Sequence, residues 1–312
     1  MSDLNLVPTQ CPLCKDADDV EIYPGTFSPD SFSAEIFSAR RLPDQVHYRI
    51  VRCDECGLIR SNPVIEFSRL DQLYEESLFT YGDEVENITK TYVHYLKKLL
   101  SHGAKKGAYL EIGCGNGFLL TEAKKLGFEK VIGVEPSCDA ASQAPPKTQE
   151  SIVQEMFRAG LFEDNSFDVI CFFQVLDHIE NPLEFLEICY RALKPGGHIL
   201  GLNHNVDSVS AKILKNRSPI FDIEHIHLFN PDTMGKIFTR AGFRPLQVTP
   251  VANYYSISYL IRLIPLPGRL KDFLVSLLQS AKQLRVWVRL GNLMLIGTKD
   301  PMKGNDDLFL NE

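Results

Sequence analysis

Four of the eight cysteines stand in two pairs whose spacing suits a metal ion. The first pair lies in C-P-L-C at residues 11–14, and the second lies in C-D-E-C at residues 53–56. Two residues between paired cysteines allow a tight turn that brings two thiolates onto one tetrahedral ion, and four thiolates leave no open position. A redox-active pair or an iron–sulfur site uses the same residues, and both remain alternatives. The pattern favours structural zinc bound by Cys11, Cys14, Cys53 and Cys56.

A glycine-rich turn follows a short apolar run and reads E-I-G-C-G-N-G at residues 111–117. Glycines there let the backbone turn sharply and approach a ligand without a Cβ in the way. Glu135 ends the next predicted strand, where a carboxylate accepts hydrogen bonds from ribose hydroxyls in nucleotide-binding folds. A dinucleotide site would need glycine where this chain has Phe118, so pyrophosphate binding at the helix N-terminus is disfavoured.

Histidines supply the candidate proton acceptors, because imidazole titrates near neutral pH. His178 follows the fourth predicted strand of the sheet, and His204 follows the fifth. His225 and His227 lie in E-H-I-H-L-F at residues 224–229. A histidine that only hydrogen-bonds a loop is the competing interpretation for each. We predict that the catalytic residues are His225, His227 and His178.

Helices and strands must position these residues. From residue 108 onward, short apolar runs alternate with helical segments, and this pattern predicts a parallel sheet flanked by helices. The predicted strands are 109–112, 131–134, 151–153, 167–172, 198–202, 243–251 and 292–298. The main predicted helices of this part are 118–126, 182–193 and one from Asn230 to 241–242. Apolar residues at three- and four-residue spacings also predict helices within 63–103.

The motifs and their order resemble class I S-adenosylmethionine (SAM)-dependent methyltransferases from about residue 105 to residue 250. E-x-G-x-G-x-G at 111–117 is similar to the first motif of that family, and N-S-F-D-V-I (165–170), Q-V-L-D-H-I (174–179) and A-L-K-P-G-G (192–197) follow in the family's order. One departure is Asp177, where glutamate is commoner. The resemblance implies an α/β fold with a doubly wound, mostly parallel seven-stranded sheet of the Rossmann-like kind, transferase activity, and SAM as cofactor.

The resemblance also implies which residues hold the cofactor. The glycines contact its methionine part, the acidic residue after the second strand holds the ribose hydroxyls, Met156 flanks the adenine, and Gln174 lies at the mouth of the sheet. The cofactor-binding residues implied are Glu111, Gly113, Gly115, Gly117, Glu135, Met156 and Gln174.

The second cysteine pair and its surroundings, V-R-C-D-E-C-G-L at residues 51–58, resemble the zinc ribbon that begins a subset of methyltransferases. That subset includes sugar C-methyltransferases and enzymes of polysaccharide or natural-product clusters. A group of ribosomal RNA guanine methyltransferases also begins with a zinc ribbon, so an RNA methyltransferase that docks through the ribbon is one alternative. A non-catalytic cofactor-binding interaction module is the other.

Two features bear on the substrate. F-F-Q-V at residues 172–175 stands where Asn- or Asp-Pro-Pro-Tyr would mark methylation of an amino nitrogen, which favours oxygen or carbon as the acceptor atom. The net charge of −7 at pH 7 disfavours nucleic acid as a partner, because gripping a polyphosphate needs a basic surface. We therefore expect a small-molecule substrate such as a sugar, a nucleotide-sugar or a biosynthetic intermediate.

The chain of 312 residues suits one catalytic domain and a small module. We expect a zinc-binding module (1–65), a helical connector (66–104), a methyltransferase domain (105–299) with a helical insertion at about 252–288, and a tail (300–312). The basic, apolar segment 254–289 either packs on the protein or contacts a membrane peripherally. The first residues lack the pattern of a signal peptide, which favours a cytoplasmic location, and the sequence predicts no oligomeric state.

Overall fold

The computed structural model describes residues 5–15, 17–28, 45–79, 84–263, 268 and 284–301. Within these ranges, no helix combines the length and the hydropathy that crossing a membrane requires. The N-terminal strands are β1 (Leu6–Val7), β2 (Asp19–Tyr23), β3 (Ile50–Cys53), β4 (Ile59–Ser61) and β5 (Val64–Ile65). The later strands are β6 (Ala108–Ile112), β7 (Lys130–Val134), β8 (Ile152–Val153), β9 (Phe167–Phe173), β10 (Leu193–His204), β11 (His227–Leu228), β12 (Arg244–Ser256) and β13 (Arg285–Thr298).

Seven of these strands form the central sheet, in the order β12-β13-β10-β9-β6-β7-β8. Strands β6 to β10 pair in parallel, whereas β13 lies antiparallel to both β10 and β12. The inner strands are apolar on both faces, as expected for a sheet covered by helices on both sides. The predicted doubly wound, mostly parallel seven-stranded sheet is confirmed.

Helices cover both faces of the central sheet. They are α1 (Phe67–Glu75), α2 (Val85–Ser101), α3 (Phe118–Lys125), α4 (Cys138–Ser142), α5 (Pro146–Gln149), α6 (Pro182–Ala192), α7 (Val209–Leu214), α8 (Pro231–Arg240) and α9 (Ile257–Leu263). One core joins α2 and α3 to one face of the sheet, and the core on the other face contains α6 and α8. The two helices of the predicted connector (66–104) therefore belong to different parts of the fold. Helix α2 covers the central sheet, whereas α1 packs against Val64 and Ile65 of the N-terminal part.

The predicted helical insertion at about 252–288 is wrong at both ends. Residues 252–256 continue β12 and residues 285–288 begin β13, and the two strands pair from Ser256 with Arg285 onward. Tyr254, Tyr255 and Trp287 are aromatic residues that favour a strand, and an apolar run alone does not tell strand from helix. Residues 257–263 are helical, as predicted. Residues 264–267 and 269–283 lie outside the described residues, so the membrane contact expected of this segment stays a prediction.

The N-terminal part is joined to the rest of the chain through a shared sheet, whose order is β11-β4-β3-β2. Strand β11 follows β10 in the chain, yet it pairs antiparallel with β4, with His227 opposite Arg60 and Leu228 opposite Ile59. The boundary expected at residue 65 therefore separates segments that share one sheet. Residues 29–44 of the loop between the cysteine pairs, and residues 302–312 of the expected tail, lie outside the described residues.

Candidate functional site

A cavity of about 780 Å³ opens at the carboxyl ends of the parallel strands. Ile112 ends β6, Val134 ends β7, and Phe173 ends β9, and all three line the cavity. Ligands of open α/β sheets bind at this edge, because helix N-termini and flexible loops converge there. The position of the cavity fits a cofactor site at one end and a substrate site at the other.

The glycine-rich turn forms one wall of the cavity through Gly113. Its φ angle is +72°, and a Cβ at this position would lie 2.7 Å from Cγ2 of Val175, so only glycine fits without strain. Gly115 and Gly117 are not among the lining residues and instead shape the turn behind the wall. The direct cofactor contacts expected of these two glycines stay predictions.

Glu111 also lies behind the wall, at 2% exposure, and does not line the cavity. Burial raises the pKa of Glu111 well above its ordinary value, and the nearby Glu135 carboxylate raises it further. Glu111 Oε2 is buried and has no hydrogen-bond partner among the described residues, so the cofactor-binding role expected for Glu111 stays a prediction.

Glu135 lines the cavity at the end of β7 and is 9% exposed. Oε2 accepts a hydrogen bond from the Gly115 amide at 2.8 Å, and Oε1 accepts one from the Ser137 amide at 2.9 Å. Burial raises the pKa of Glu135, although these two amides oppose the shift. Each carboxylate oxygen keeps a second lone pair, so the amides aim the group while leaving it able to accept from two further hydroxyls.

Met156 and Gln174 complete this wall, together with Gly113 and Glu135. Gln174 has a φ angle of +58°, and its backbone N–H donates to the Leu202 carbonyl at 2.6 Å. Its Oε1 is buried and has no hydrogen-bond partner among the described residues. A buried polar atom on a cavity wall usually finds its partner in a ligand or water. The structure thus brings together four of the residues predicted to bind the cofactor.

The floor of the other half of the cavity is formed by His178, His204 and His225, and behind them lies a buried carboxylate, Asp177, at 1% exposure. Its Oδ2 lies 2.5 Å from Nδ1 of His204, and its Oδ1 accepts from Nδ2 of Asn203 at 2.9 Å. Burial alone would raise the pKa of Asp177, but its contact with His204 holds the pKa well below its ordinary value. A carboxylate accepts, so Nδ1 of His204 carries its proton and Nε2 is the basic nitrogen.

His178 lines the cavity beside this pair, and its Nε2 lies 3.7 Å from Asp177 Oδ1. Its Nδ1 lies 3.0 Å from the hydroxyl of Tyr74. Burial lowers the pKa of His178 to about 4, although Asp177 opposes the shift, so the ring is neutral at pH 7. Burial and the nearby carboxylates raise the pKa of Tyr74 well above its ordinary value, which keeps its hydroxyl protonated. The sequence predicted helices within 63–103 but no role for Tyr74 in the site.

His225 lines the cavity, and its ring centroid lies 4.3 Å from that of His204 and 5.0 Å from that of His178. Its Nδ1 lies 2.8 Å from the Ile220 carbonyl, which can only accept, so Nδ1 carries a proton. We call His178, His204 and His225, together with Asp177, the histidine cluster. The structure therefore places two of the three predicted catalytic histidines in the cavity.

The catalytic role predicted for His227 is contradicted by its position. It lies in β11 at 1% exposure, does not line the cavity, and its Nδ1 lies 3.1 Å from the Ile179 carbonyl. Burial lowers the pKa of His227 to about 4. The pairing of β11 with β4 covers this side chain, and a single sequence does not reveal a pairing between strands so distant in the chain.

The remaining wall of the cavity is apolar and acidic. Apolar or aromatic side chains come from Ile188, Leu214, Ile220, Tyr255, Tyr259, Leu260, Leu263 and Leu290. Carboxylates come from Asp71, Glu180, Glu184, Asp222 and Glu224. Among the described lining residues, Arg158 is the sole lysine or arginine, and its guanidinium pairs with Glu155 at 3.0 Å.

The cysteine cluster lies apart from the cavity, since none of its members lines it. One sulfur from each of Cys11, Cys14, Cys53 and Cys56 lies within 4.8 Å of all the others, and no disulfide joins them. The Cys11 and Cys56 sulfurs are 3.5 Å apart, close to the roughly 3.8 Å expected around a tetrahedral zinc with 2.3 Å bonds. The turn that carries Cys14 packs on α8, where Arg240 donates to the Leu13 carbonyl.

The parallel sheet, the turn at Gly113 and the carboxylate of Glu135 define a class of nucleoside-binding α/β enzymes. A family model described as "Methyltransferase domain" matches residues 85–248, which is more than half of the chain. The chain belongs to this family, and it is a SAM-dependent methyltransferase.

Known proteins similar to this chain are methyltransferases too. A ubiquinone biosynthesis O-methyltransferase from Aliivibrio fischeri (strain MJ11) is 28% identical over 165 residues, covering 47% of this chain and 70% of the relative. Another from Nitrobacter winogradskyi is 31% identical over 144 residues, covering 43% and 55%. A solved SAM-dependent methyltransferase from Archaeoglobus fulgidus is 20% identical, with a TM-score of 0.47, covering 68% of this chain and 94% of that one.

Proposed function

We propose that this methyltransferase acts on an oxygen or carbon atom of a small, neutral or cationic hydroxylated molecule, with the histidine cluster removing the substrate proton. The observation that carries the proposal is the cavity that joins the Glu135 wall to the floor formed by His178, His204 and His225. A cofactor on that wall and an acceptor above the histidines would share one enclosed space. Relatives named as ubiquinone biosynthesis O-methyltransferases support transfer to oxygen.

The residues of the Glu135 wall fit SAM. The two open lone pairs of Glu135 suit ribose hydroxyls, the absent Cβ of Gly113 leaves room for a close approach, and Gln174 Oε1 offers a buried acceptor. Met156 provides an apolar surface at the same wall. When bound there, SAM supplies an electrophilic methyl group on its sulfonium.

The proton of the acceptor passes to Nε2 of His204 in this proposal. Asp177 holds Nδ1 of that ring at 2.5 Å and stabilises the imidazolium that forms, as the carboxylate does in other His–Asp pairs. His225 packs against the His204 ring, and the Tyr74–His178 pair orients the neighbouring side of the floor. The chain's remaining task is to hold the acceptor atom in line with the methyl group.

The charges of the side chains that line the cavity indicate which class of substrate it can bind. Five carboxylates besides Glu135 line the cavity, and the single guanidinium among the described lining residues is already paired. A diphosphate would be repelled there, so the lining disfavours a nucleotide-sugar and favours an uncharged sugar or a hydroxylated aromatic compound with an apolar part. The RNA alternative gains no support, because the cysteine cluster lies away from the cavity and packs on α8.

We also propose that the four cysteines bind one structural zinc ion. The four convergent sulfurs and the short distance between Cys11 and Cys56 support a tetrahedral thiolate site. Elemental analysis of purified protein should find one zinc per chain, and Cys53→Ser should lower that content. Iron in place of zinc, with visible absorption, would instead indicate an iron–sulfur or rubredoxin-like centre.

Calorimetry followed by labelling tests the methyltransferase proposal. SAM should bind the wild type, and Glu135→Ala should bind it about tenfold or more weakly through loss of the charged hydrogen bonds. Methyl-labelled SAM should then label hydroxylated aromatics or neutral sugars in a panel that also contains nucleotide-sugars and ribosomal RNA. Labelling of RNA alone, or of nucleotide-sugars alone, would contradict the proposed substrate class.

A further inference from the structure

The strand that carries the cysteine cluster reaches the floor of the cavity. Cys53 and Cys56 form the turn between β3 and β4, closed by hydrogen bonds from Cys53 N to Leu58 O and from Gly57 N to Cys53 O. Strand β4 begins two residues after Gly57 and ends at Ser61, which is fully buried. A metal that fixes the turn therefore also fixes the start of β4.

The arm that carries the first cysteine pair meets the same strand. Oγ1 of Thr9 donates to the Ser61 carbonyl at 2.7 Å, and the Thr9 amide donates to Oδ1 of Asn62 at 3.0 Å. Arg60, at 3% exposure, bonds Thr9 through Nε at 3.2 Å and pairs with Asp19 at 2.6 Å. Because Thr9 lies just before Cys11, both arms of the metal site converge on β4.

Ser61 joins β4 to the segment that carries His225 of the histidine cluster. Its Oγ donates to the His225 carbonyl at 2.8 Å, and its amide donates to the Ile226 carbonyl at 2.8 Å. On the other side of that segment, the Ile226 amide donates to the Asp177 carbonyl at 2.8 Å. The backbone at 225–226 is thus held between β4 and the residue that binds His204.

We propose that the four-cysteine centre sets the geometry of the histidine cluster through β4, with Ser61 as the positioning residue. Metal bound at the cysteines joins the two arms, the arms hold β4, and β4 holds the backbone of His225 and, through Ile226, that of Asp177. Metal loss or cysteine oxidation would therefore lower turnover while leaving the Glu135 wall able to bind SAM. The expected effect on turnover rests on the proposed function, in which the histidine cluster removes the substrate proton. The structural link between the cysteines and the histidine cluster does not depend on that proposal.

The test uses the full chain in three forms: metal-loaded wild type, wild type depleted of metal by a chelator, and metal-loaded Ser61→Ala. Histidine ring signals, observed by NMR on protein with isotope-labelled histidine, report the cluster directly. We expect the signals of His204 and His225 to shift in both altered forms, and kcat to fall by about 10- to 100-fold because small displacements of a catalytic group are costly. KM for the acceptor and Kd for SAM should change little.

Ser166→Ala is the matched control, because its hydroxyl donates to the Glu163 carbonyl at 2.7 Å just before β9, away from the cavity. It should leave the ring signals and kcat unchanged. If Ser61→Ala retains both the wild-type ring signals and kcat, the inference is wrong, even where metal depletion unfolds the protein. If the rings shift but wild type methylates no acceptor, the proposed function fails and the coupling stands.

Discussion

Nδ1 of His204 lies 2.5 Å from Oδ2 of Asp177, and this contact joins the end of β10 to the 3-10 turn that follows the neighbouring strand β9. Asn203, which precedes His204 at the end of β10, occupies the other carboxylate oxygen at 2.9 Å. Both oxygens of a fully buried carboxylate therefore have donors from one strand end. That arrangement fixes which ring nitrogen of His204 is basic and keeps Asp177 ionised, since its pKa lies well below the ordinary value.

Asp177→Asn should reduce kcat by roughly 100-fold or more, because an amide cannot stabilise the imidazolium and allows the wrong tautomer of His204. Kd for SAM should stay unchanged, since the Glu135 wall is separate from this pair. Steady-state kinetics and calorimetry measure the two quantities. The matched control is Asp232→Asn, whose exposed carboxylate pairs with Lys236 at 2.7 Å on α8. Equal losses in the two variants would contradict the role of the pair.

Gly113→Ala should weaken SAM binding by about tenfold or more and lower the free energy of unfolding by about 1–3 kcal/mol. The new Cβ would lie 2.7 Å from Cγ2 of Val175 on the cavity wall, at a φ angle of +72°. Gly103→Ala is the control, because its φ angle is +94° and its Cβ would meet nothing within 4 Å. Gly103→Ala should lower the free energy of unfolding without changing the Kd for SAM measured by calorimetry. Equal binding by both variants would show that the turn does not face the cofactor.

Tyr74→Phe removes the hydroxyl that lies 3.0 Å from Nδ1 of His178 and leaves the buried ring in place. We expect kcat to fall about fivefold, the effect of one hydrogen bond of about 1 kcal/mol. Tyr190→Phe removes a buried hydroxyl that has no hydrogen-bond partner among the described residues, and kcat should not change. A kcat for Tyr74→Phe equal to that of the wild type would show that the Tyr74 hydroxyl has no role in turnover.

Local patterns predicted the central sheet because the information they carry is local. Alternating apolar runs mark the strands, and the glycine-rich turn must follow β6 whatever its neighbours are. Glu135 and Gln174 could be placed on one wall because the carboxyl ends of parallel strands share an edge of the sheet. The motif identified Glu111 but did not reveal that its side chain is 2% exposed and does not line the cavity.

Contacts between distant segments could not be predicted in the same way. The pairing of β11 with β4 joins residues 227 and 60, and it decides that His227 is covered while His225 faces the cavity. Tyr74 enters the site only because α1 packs beside the segment around Ile226. The strands at 252–256 and 285–288 stabilise each other, and neither shows a strand pattern strong enough to be recognised alone.

The buried histidines make stability depend on pH between about 6.5 and 4. Burial lowers the pKa of His178 and of His227 to about 4, whereas an unfolded histidine titrates near 6.5. Between these values the unfolded chain binds more protons than the folded one, so the free energy of unfolding falls as pH falls. Asp177 adds to this loss only below about pH 5, where the unfolded carboxyl group begins to bind a proton and the folded one does not.

His227→Asn isolates one of these contributions. Asparagine can still donate to the Ile179 carbonyl, which lies 3.1 Å from Nδ1 of His227, but it does not titrate. Between pH 7 and pH 5 the wild type should lose on the order of 1 kcal/mol more than this variant in urea unfolding. Protonation of the cysteine thiolates affects both proteins alike, so it cancels in the comparison. Parallel pH profiles for the two proteins would mean that His227 is protonated as readily in the folded chain as in the unfolded one, which its burial at 1% exposure argues against.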